Sequence, residues 1–148
     1  MAMGLSMYGF SNIVTDVCGT IGPLDEELCG RWMQLAAFLP MARNYYTGTY
    51  RNETLNATVP TDPSEFYNFK NYEFKFMASS AIQQKAAYAR YTYSQMYKVY
   101  REGGSIVRPL FFDYPEDDNC FGDTVDNTYL FGDAIKVSPV LNSNVTKY

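Results

Sequence analysis

Histidine is absent from this 148-residue sequence. Without an imidazole, the chain cannot by itself assemble a serine–histidine–aspartate or cysteine–histidine catalytic set, or a histidine-ligated zinc site. Its three cysteines are too few for a four-cysteine metal site. Basic residues are also scarce, since 12 Lys and Arg against 16 Asp and Glu leave a formal charge of −4. With no basic cluster, nucleic acid and anionic membrane surfaces are poor candidates as partners.

Long apolar runs are missing as well. The longest nearly apolar stretch, 36–42, contains Pro40 and is far shorter than the roughly 20 residues that a membrane span needs. No Lys or Arg precedes Arg31, so the start of the sequence does not resemble a signal peptide, and we expect any secretory address to lie outside it. Aromatic residues, by contrast, make up 17% of the sequence, which suits both a core and a sugar-binding cleft.

The first two thirds of the sequence predict strands that alternate with helices. Residues 8–17 are apolar on both sides, as in a buried parallel strand, and 40–46 form a second short strand. Between them, Asp25 precedes an acidic first turn and apolar residues at helical spacing. Residues 47–72 are rich in Thr, Asn, Tyr and Pro and predict an exposed loop, whereas 73–101 lack Gly and Pro and predict one long helix.

The last third of the sequence predicts β-structure. Residues 105–114, 128–131 and 134–141 have strand patterns, and Gly132-Asp133 is the turn between the last two. The chain therefore divides into an α/β part and the start of an all-β part. A length of 148 residues fits one compact domain or a piece of a larger one, because a complete (β/α)8 barrel needs roughly 200 residues or more.

Polar residues at the ends of the predicted strands are candidates for a site. Asp16 ends the first strand, where a carboxylate can bind sugar hydroxyls or orient an arginine, or can simply cap the loop. Arg43 and Asn44 end the second strand, and functional and structural roles fit them equally well. For Arg108, an ion pair between two domains is as good an interpretation as any other.

Cysteines and sequons bear on the compartment of the protein. Cys18 and Cys29 either form a disulfide or remain two half-buried thiols. Asn-x-Thr sequons predict glycosylation and give weak support to a secretory route. They are at Asn52, Asn56 and Asn144.

An acidic stretch, 113–133, raises the hypothesis of a calcium-binding β module. An EF-hand pattern begins with Asp117 and Asn119, but Phe121 and Thr128 stand where oxygen ligands are needed. A solvated acidic turn therefore explains the stretch better, and we expect neither a metal nor a cofactor.

Several segments, in order and at proper spacing, resemble glycoside hydrolase family 31, a family of α-glucosidases. The resemblance covers most of the chain, and 47–72 is its poorest part. The matching segments are Asp16-Val17-Cys18-Gly19, Glu26 to Phe38, Pro40-Met41-Ala42-Arg43-Asn44, Arg90-Tyr91, Met96-Tyr97, Arg108-Pro109-Leu110-Phe111, Phe131-Gly132-Asp133-Ala134 and Ser138-Pro139-Val140.

This resemblance implies an incomplete α/β domain: the last two βα units of a (β/α)8 barrel, followed by the start of an all-β sandwich. The barrel part would be 1–102, with 8–17 as strand seven, 40–46 as strand eight and 73–102 as the final helix. The sandwich part would be 103–148. Enzymes of the family retain configuration with a carboxylate nucleophile and a carboxylic general acid. Both come from earlier strands, so the isolated chain is predicted to be inactive.

The resemblance also assigns roles to single residues. Asp16 matches a family aspartate near the −1 subsite, and Arg43 with Asn44 matches an Arg-Asn pair at the end of strand eight. Cys18 and Cys29 match a disulfide of the family. We predict Asp16, Arg43 and Tyr45 as the substrate-binding residues. Two positions depart from the family pattern, because Tyr45 replaces a sugar-binding histidine and Thr20 replaces an aromatic wall residue. The Tyr45 hydroxyl is the substitute hydrogen-bond donor.

Two hypotheses about function follow. The chain is a fragment of a retaining α-glucosidase of the secretory route (extracellular, cell-surface or lysosome-like), and it supplies part of the −1 subsite wall to an α-glucoside or oligosaccharide. Alternatively, it is a non-catalytic barrel remnant that acts as a structural or interaction subunit. In either case the open strand edge requires the rest of the barrel or a partner chain to cover it.

Overall fold

A computed structural model describes residues 2–19, 21–60 and 64–145. It contains α-helices, short 3₁₀ turns and three small sheets. The helices are α1 (Ala2–Met7), α2 (Glu26–Ala36), α3 (Tyr72–Ala87), α4 (Ala89–Glu102) and α5 (Leu110–Asp113). The strands are β1 (Val14–Val17), β2 (Met41–Asn44), β3 (Thr49–Asn52), β4 (Ala57–Pro60), β5 (Val107–Pro109), β6 (Tyr129–Phe131) and β7 (Ile135–Val137).

Strands β1 and β2 form a two-stranded parallel sheet with α2 between them in sequence, which confirms the predicted βαβ order. Val17 of β1 is buried against α2, in a core that also contains Met33 and Ala78. The opposite face of the sheet is open: Val14 is 49% exposed and Met41, its partner in register, is 51% exposed. Alternation along the strands therefore separates a packed face from a bare one.

The predicted strands 8–17 and 40–46 are longer than those observed. Residues 8 and 9 form a turn after α1, because Gly9 adopts a φ of +87°, which glycine reaches without strain. β1 consequently begins only at Val14, and β2 ends at Asn44, where its pairing with β1 ends.

The prediction of a loop over 47–72 is wrong in part. β3 and β4 form an antiparallel hairpin, and a 3₁₀ turn follows at Phe66–Asn68. Asn56 in the hairpin turn has a φ of +47°, a conformation that asparagine tolerates better than most residues. The Asn52 carboxamide accepts a hydrogen bond from the Leu55 N–H at 3.0 Å and closes the same turn. Local asparagine chemistry, and not apolar periodicity, therefore forms this hairpin.

The single helix predicted for 73–101 is two helices that meet at Tyr88. Tyr88 has φ −86° and ψ 3°, outside the helical region, and its N–H still donates to the Gln84 carbonyl.

Lys85, in the last turn of α3, binds the C-terminal end of α2. Its Nζ donates to the carbonyls of Ala36 at 2.8 Å and Leu39 at 2.6 Å. Burial lowers the pKa of Lys85, but the two carbonyls compensate the desolvated ammonium.

The C-terminal segment forms a three-stranded antiparallel sheet in the order β5–β6–β7. It departs from the predicted β pattern, because 105–114 supplies only β5 before α5 begins. Pro109 explains this end: it has no N–H to donate to the sheet and is favoured at the start of a helix. The last two strands are likewise shorter than predicted.

The two parts of the chain share one core. Leu39, which precedes β2, packs with Ile106 and Phe131 of the C-terminal segment. The buried Tyr129 hydroxyl donates to the Phe38 carbonyl at 2.9 Å, which joins β6 to the turn after α2. Among the described residues, no helix is long and apolar enough to cross a lipid bilayer.

Candidate functional site

Asp16 and Arg43 meet at the carboxyl ends of β1 and β2. The parallel register pairs the two residues, and both side chains lie on the open face of the sheet. Arg43 Nε donates to Asp16 Oδ1 at 2.7 Å, and Arg43 Nη2 donates to Asp16 Oδ2 at 3.0 Å. This two-point contact is the planar guanidinium–carboxylate geometry that fixes both side chains. The ion pair therefore forms a rigid polar element on the sheet.

The pair sets the charge of both groups. The hydrogen bond from Arg43 lowers the pKa of Asp16, and the Asp16 carboxylate raises the pKa of Arg43. A general acid in glycoside hydrolysis needs a carboxyl pKa that is raised. Asp16 is therefore suited to accept hydrogen bonds as an anion and unsuited to donate a proton.

Tyr45 and Asn44 flank Arg43. The Arg43 guanidinium lies over the Tyr45 ring, with 4.9 Å from Cζ to the ring centroid, and Tyr45 is 46% exposed. Asn44 Nδ2 donates to the Ser64 carbonyl at 2.7 Å, and the Ser64 hydroxyl donates back to Asn44 Oδ1. Because Ser64 is only 2% exposed, this reciprocal contact anchors the end of β2 to the core.

The structure joins Cys18 and Cys29 in a disulfide. The bond ties the turn after β1 to the first half of α2, close to Asp16. Thr20, which departs from the family pattern, lies outside the described residues. Cys120 is a buried free thiol in the C-terminal segment.

A cavity of about 640 Å³ borders Asp16 and Arg43. Its other walls are mainly apolar and come from both parts of the chain, including Trp32 of α2, Tyr129 of β6 and Leu141. A second cavity, of about 410 Å³, lies between Asp16, Trp32 and the disulfide. The ion pair therefore lies at the edge of an apolar cavity, where a ligand with one apolar face and one polar edge would fit.

The remaining candidate residues belong to other elements of the chain. Asp117 accepts from the Asn119 N–H at 3.0 Å, as expected of an acidic turn. Within the described ranges, no three acidic, cysteine or histidine side chains are grouped to hold a metal ion. Asn52 and Asn56 lie in the β3–β4 hairpin, and Asn144 is exposed after the last strand.

For Arg108 the sequence left an ion pair between the two parts of the chain open, and its main ion pair instead lies within one part. Arg108 binds Asp113 through two hydrogen bonds, of 2.9 and 2.7 Å, within the C-terminal segment. An ion pair between the two parts joins Lys98 of α4 to Asp133 at 2.8 Å. Neither this pair nor the contact of Ser64 with Asn44 could be predicted from the sequence, because the partners are far apart along the chain.

Two family models match this chain. The description "Glycosyl hydrolases family 31 TIM-barrel domain" matches residues 1–95, and "Glycosyl hydrolase family 31 C-terminal domain" matches residues 103–148. The chain belongs to glycoside hydrolase family 31.

Relatives in the family are similar over nearly the whole chain. An alpha-glucosidase of Hordeum vulgare is 34% identical over 97% of this chain, and a lysosomal alpha-glucosidase of Mus musculus is 33% identical over 96%. The family resemblance drawn from the sequence motifs is therefore confirmed. The chain spans only 15% and 13% of the length of these two relatives.

Two solved structures share the fold of the chain. The cycloalternan-forming enzyme from Listeria monocytogenes, in complex with pentasaccharide substrate, has a TM-score of 0.80 and 22% identity. The likeness covers 97% of this chain and 13% of that one. A GH31 alpha-xylosidase from a soil metagenome, complexed with xylose, gives a TM-score of 0.79 at 21% identity, with coverage of 97% of this chain and 22% of that one.

Proposed function

We propose that this chain is part of a retaining α-glucosidase and supplies one section of the −1 subsite wall through Asp16, Arg43 and Tyr45. The parts would be the last two βα units of the barrel, 1–102, and the start of the β-sandwich, 103–148. The observation that carries the proposal is the two-point Asp16–Arg43 ion pair at the carboxyl ends of adjacent parallel strands. Substrates of (β/α)8 enzymes bind at that end of the barrel.

The three side chains offer complementary groups to a sugar. Asp16 keeps lone pairs on both oxygens, and Arg43 keeps its Nη1 hydrogens, because the ion pair uses only Nε and Nη2. The Tyr45 ring supports the guanidinium, and its hydroxyl is a further donor within the same cluster. A rigid set of donors and acceptors binds a sugar with little loss of conformational entropy.

The catalytic acids are not part of this proposal. Retaining hydrolysis needs two carboxyl groups about 5–5.5 Å apart, one of them with a raised pKa. Asp16 is committed to Arg43 and has a lowered pKa. We therefore expect the nucleophile and general acid to come from strands that precede this chain, and we expect no turnover by the chain alone.

The open face of the sheet supports the need for more protein. Val14 and Met41 are each about half exposed beside the ion pair. In a complete barrel, such side chains fill the interior in layers with side chains from the other strands. The rest of the barrel would cover these residues and enclose the ion pair.

A chimeric enzyme tests the proposal. The matching segment of the Hordeum vulgare alpha-glucosidase is replaced by this chain, and kcat/KM for maltose is measured. We expect activity that falls by about 10²–10³ in Asp16→Asn and in Arg43→Lys, the cost of losing one well-placed hydrogen bond in the transition state. Lys136→Met, on the exposed face of β7, is the matched control and should leave kcat/KM unchanged. A folded, active chimera in which both site variants keep full activity would contradict the assignment.

A second candidate is a non-catalytic remnant that serves as a structural subunit. Its support is the apolar hollow of about 640 Å³ beside the bare sheet face, which a partner chain could fill. Light scattering after size-exclusion chromatography tests it. A stable assembly with a second chain on that face would favour this candidate, whereas a well-folded monomer without a partner would contradict it.

The secretory route belongs to the proposal as well. The Cys18–Cys29 disulfide is typical of proteins that fold in an oxidising compartment, and lysosomal alpha-glucosidases are among the relatives of the chain. The three sequons fit the same route.

A further inference from the structure

The β3–β4 hairpin carries two sequons within seven residues. Asn52-Glu53-Thr54 begins at the last residue of β3, and Asn56-Ala57-Thr58 begins in the turn and enters β4. The hairpin follows β2 after four residues, on the side of the sheet where the carboxyl ends of β1 and β2 lie. Its strands pair with each other and with no other strand among the described residues. It is therefore a separate two-stranded element that follows the carboxyl end of β2.

The Asn52 carboxamide is committed to the fold of the hairpin. Its Oδ1 accepts from the Leu55 N–H at 3.0 Å, and its Nδ2 donates to the Tyr50 hydroxyl at 3.4 Å. The residue is only partly exposed. A sugar on this Nδ2 replaces one of its two hydrogens and has to fit beside the Tyr50 ring and the turn, so closure of the hairpin would compete with the glycan.

The Asn56 carboxamide is open on its nitrogen side. Arg51 Nη2 donates to Asn56 Oδ1 across the turn, which orients the amide. Among the described residues, Asn56 Nδ2 has no hydrogen-bond partner, and the residue is exposed. Its φ of +47° places it at the bend of the hairpin, where the side chain does not belong to a paired strand. A glycan at this nitrogen leaves every contact of the turn intact.

We propose that the hairpin is N-glycosylated at Asn56 and not at Asn52, an inference that rests on the secretory route proposed above. The donor is an oligosaccharide linked to a lipid through pyrophosphate. The amide nitrogen of Asn56 attacks the anomeric carbon of the first sugar, a C–N bond forms, and the bond from that carbon to the pyrophosphate oxygen breaks. The lipid pyrophosphate leaves, the amide loses one proton, and no atom is oxidised or reduced.

Mass spectrometry of the secreted full-length chain tests the inference. The chain is expressed behind a secretion leader in eukaryotic cells, and the folded protein is treated with an amidase that releases N-glycans and converts the linked asparagine to aspartate. Thr58→Ala and Thr54→Ala are a matched pair, because each removes one sequon by trimming an exposed threonine. We expect aspartate at position 56, loss of the glycan in Thr58→Ala, and an unchanged glycan in Thr54→Ala.

The outcomes separate this inference from the proposals on which it rests. A glycan at Asn52 with Asn56 unmodified would overturn it, as would equal occupancy of both. A glycan at Asn144 alone, or no glycan at any sequon, would also overturn it. Because the added leader sends the chain into the secretory pathway, neither outcome affects the secretory route proposed above. None of these outcomes affects sugar binding by Asp16 and Arg43, which the chimeric enzyme measures separately.

Discussion

At the scale of single residues, Gly132 shows how closely the two parts of the chain pack. It lies in the turn between β6 and β7 with a φ of +61°, and a Cβ built there would meet the Tyr91 hydroxyl and lie 2.6 Å from Gln95 Cγ. The Tyr91 hydroxyl also donates to the Phe131 carbonyl at 2.9 Å and accepts from the Ala134 N–H at 3.0 Å. A side chain at this position would push α4 away from the turn.

We expect Gly132→Ala to lower the free energy of unfolding by about 2–3 kcal/mol, from overpacking and a left-handed backbone together. Urea denaturation measures the change. Gly48→Ala is the control, because an added Cβ meets nothing within 4 Å at Gly48 and no positive φ is involved. Equal stability of the two variants would contradict this prediction, because it would mean that the turn at Gly132 accommodates a Cβ without loss of stability.

Asp25 provides a test that depends on pH. Its carboxylate accepts from the Leu28 N–H at 3.0 Å and from the Ser143 hydroxyl at 2.6 Å, which caps α2 and holds the C-terminal segment. These bonds lower the pKa of Asp25 below its ordinary value of 3.8. Because the folded pKa is the lower one, the stabilisation is complete at neutral pH and is lost as the pH falls from about 4 through the folded pKa.

Asp25→Ala should therefore lower the free energy of unfolding by about 1 kcal/mol at pH 7, with a smaller loss near pH 3. Asp25→Asn is the matched control, since asparagine also caps helices but does not titrate in this range. It should stay close to the original protein at pH 7 and show a weaker dependence on acid. A deficit of Asp25→Ala that is equal at pH 7 and pH 3 would contradict the cap assignment.

Residue chemistry could be predicted from the sequence only where a local pattern, such as the end of a strand, marks the residue. Asp16 and Arg43 were identifiable because strand ends in a βαβ pattern meet at one edge. Ser64 could not be identified as the partner of Asn44, since 20 residues separate them and no periodicity marks a hydrogen bond. Lys85 likewise looks like an ordinary exposed helix residue until the fold brings two carbonyls to it.

At the scale of elements, the disulfide between Cys18 and Cys29 joins β1 to α2 across eleven residues. A loop of this length should contribute about 2–4 kcal/mol, chiefly by restricting the unfolded chain. Thermal unfolding with and without a reductant measures it. We expect the melting temperature to fall on reduction, and we expect a Cys18→Ser, Cys29→Ser variant to be insensitive to the reductant. A shift of similar size in that variant would mean that another group responds.

Element types were predictable wherever a period was long and uniform, as in α2, and boundaries were not. The hairpin β3–β4 lacks an alternating apolar face, because its residues are mostly polar and its turn depends on two asparagines. The helix break at Tyr88 leaves no mark in composition, since neither Gly nor Pro is involved. In both places tertiary geometry overrides a weak local pattern.

At the scale of the whole molecule, we expect the two segments that match separate family domains, 1–95 and 103–148, to unfold as one unit. Residues of both segments mix in the core around Ile106 and Phe131, and the Tyr129 hydroxyl donates to the Phe38 carbonyl across the junction. Burial raises the pKa of Tyr129, so this phenol is a neutral donor throughout the physiological range.

Trp32 fluorescence and far-ultraviolet circular dichroism should therefore give coincident urea transitions. Tyr129→Phe removes one buried hydrogen bond and should lower both midpoints together, by about 1 kcal/mol in free energy. Tyr93→Phe, on a side chain that is 75% exposed, is the control and should change little. Two separated transitions would show that the C-terminal sheet folds independently.

The pairing of Asp16 with Arg43 constrains any neighbour that comes to rest on the bare face of β1 and β2. On the exposed face both charges are solvated. A purely apolar surface packed over them would remove that hydration, at a cost of several kcal/mol per ion. A neighbour that covers this face must therefore present polar groups to the ion pair, and sugar hydroxyls or a layer of bound water would serve.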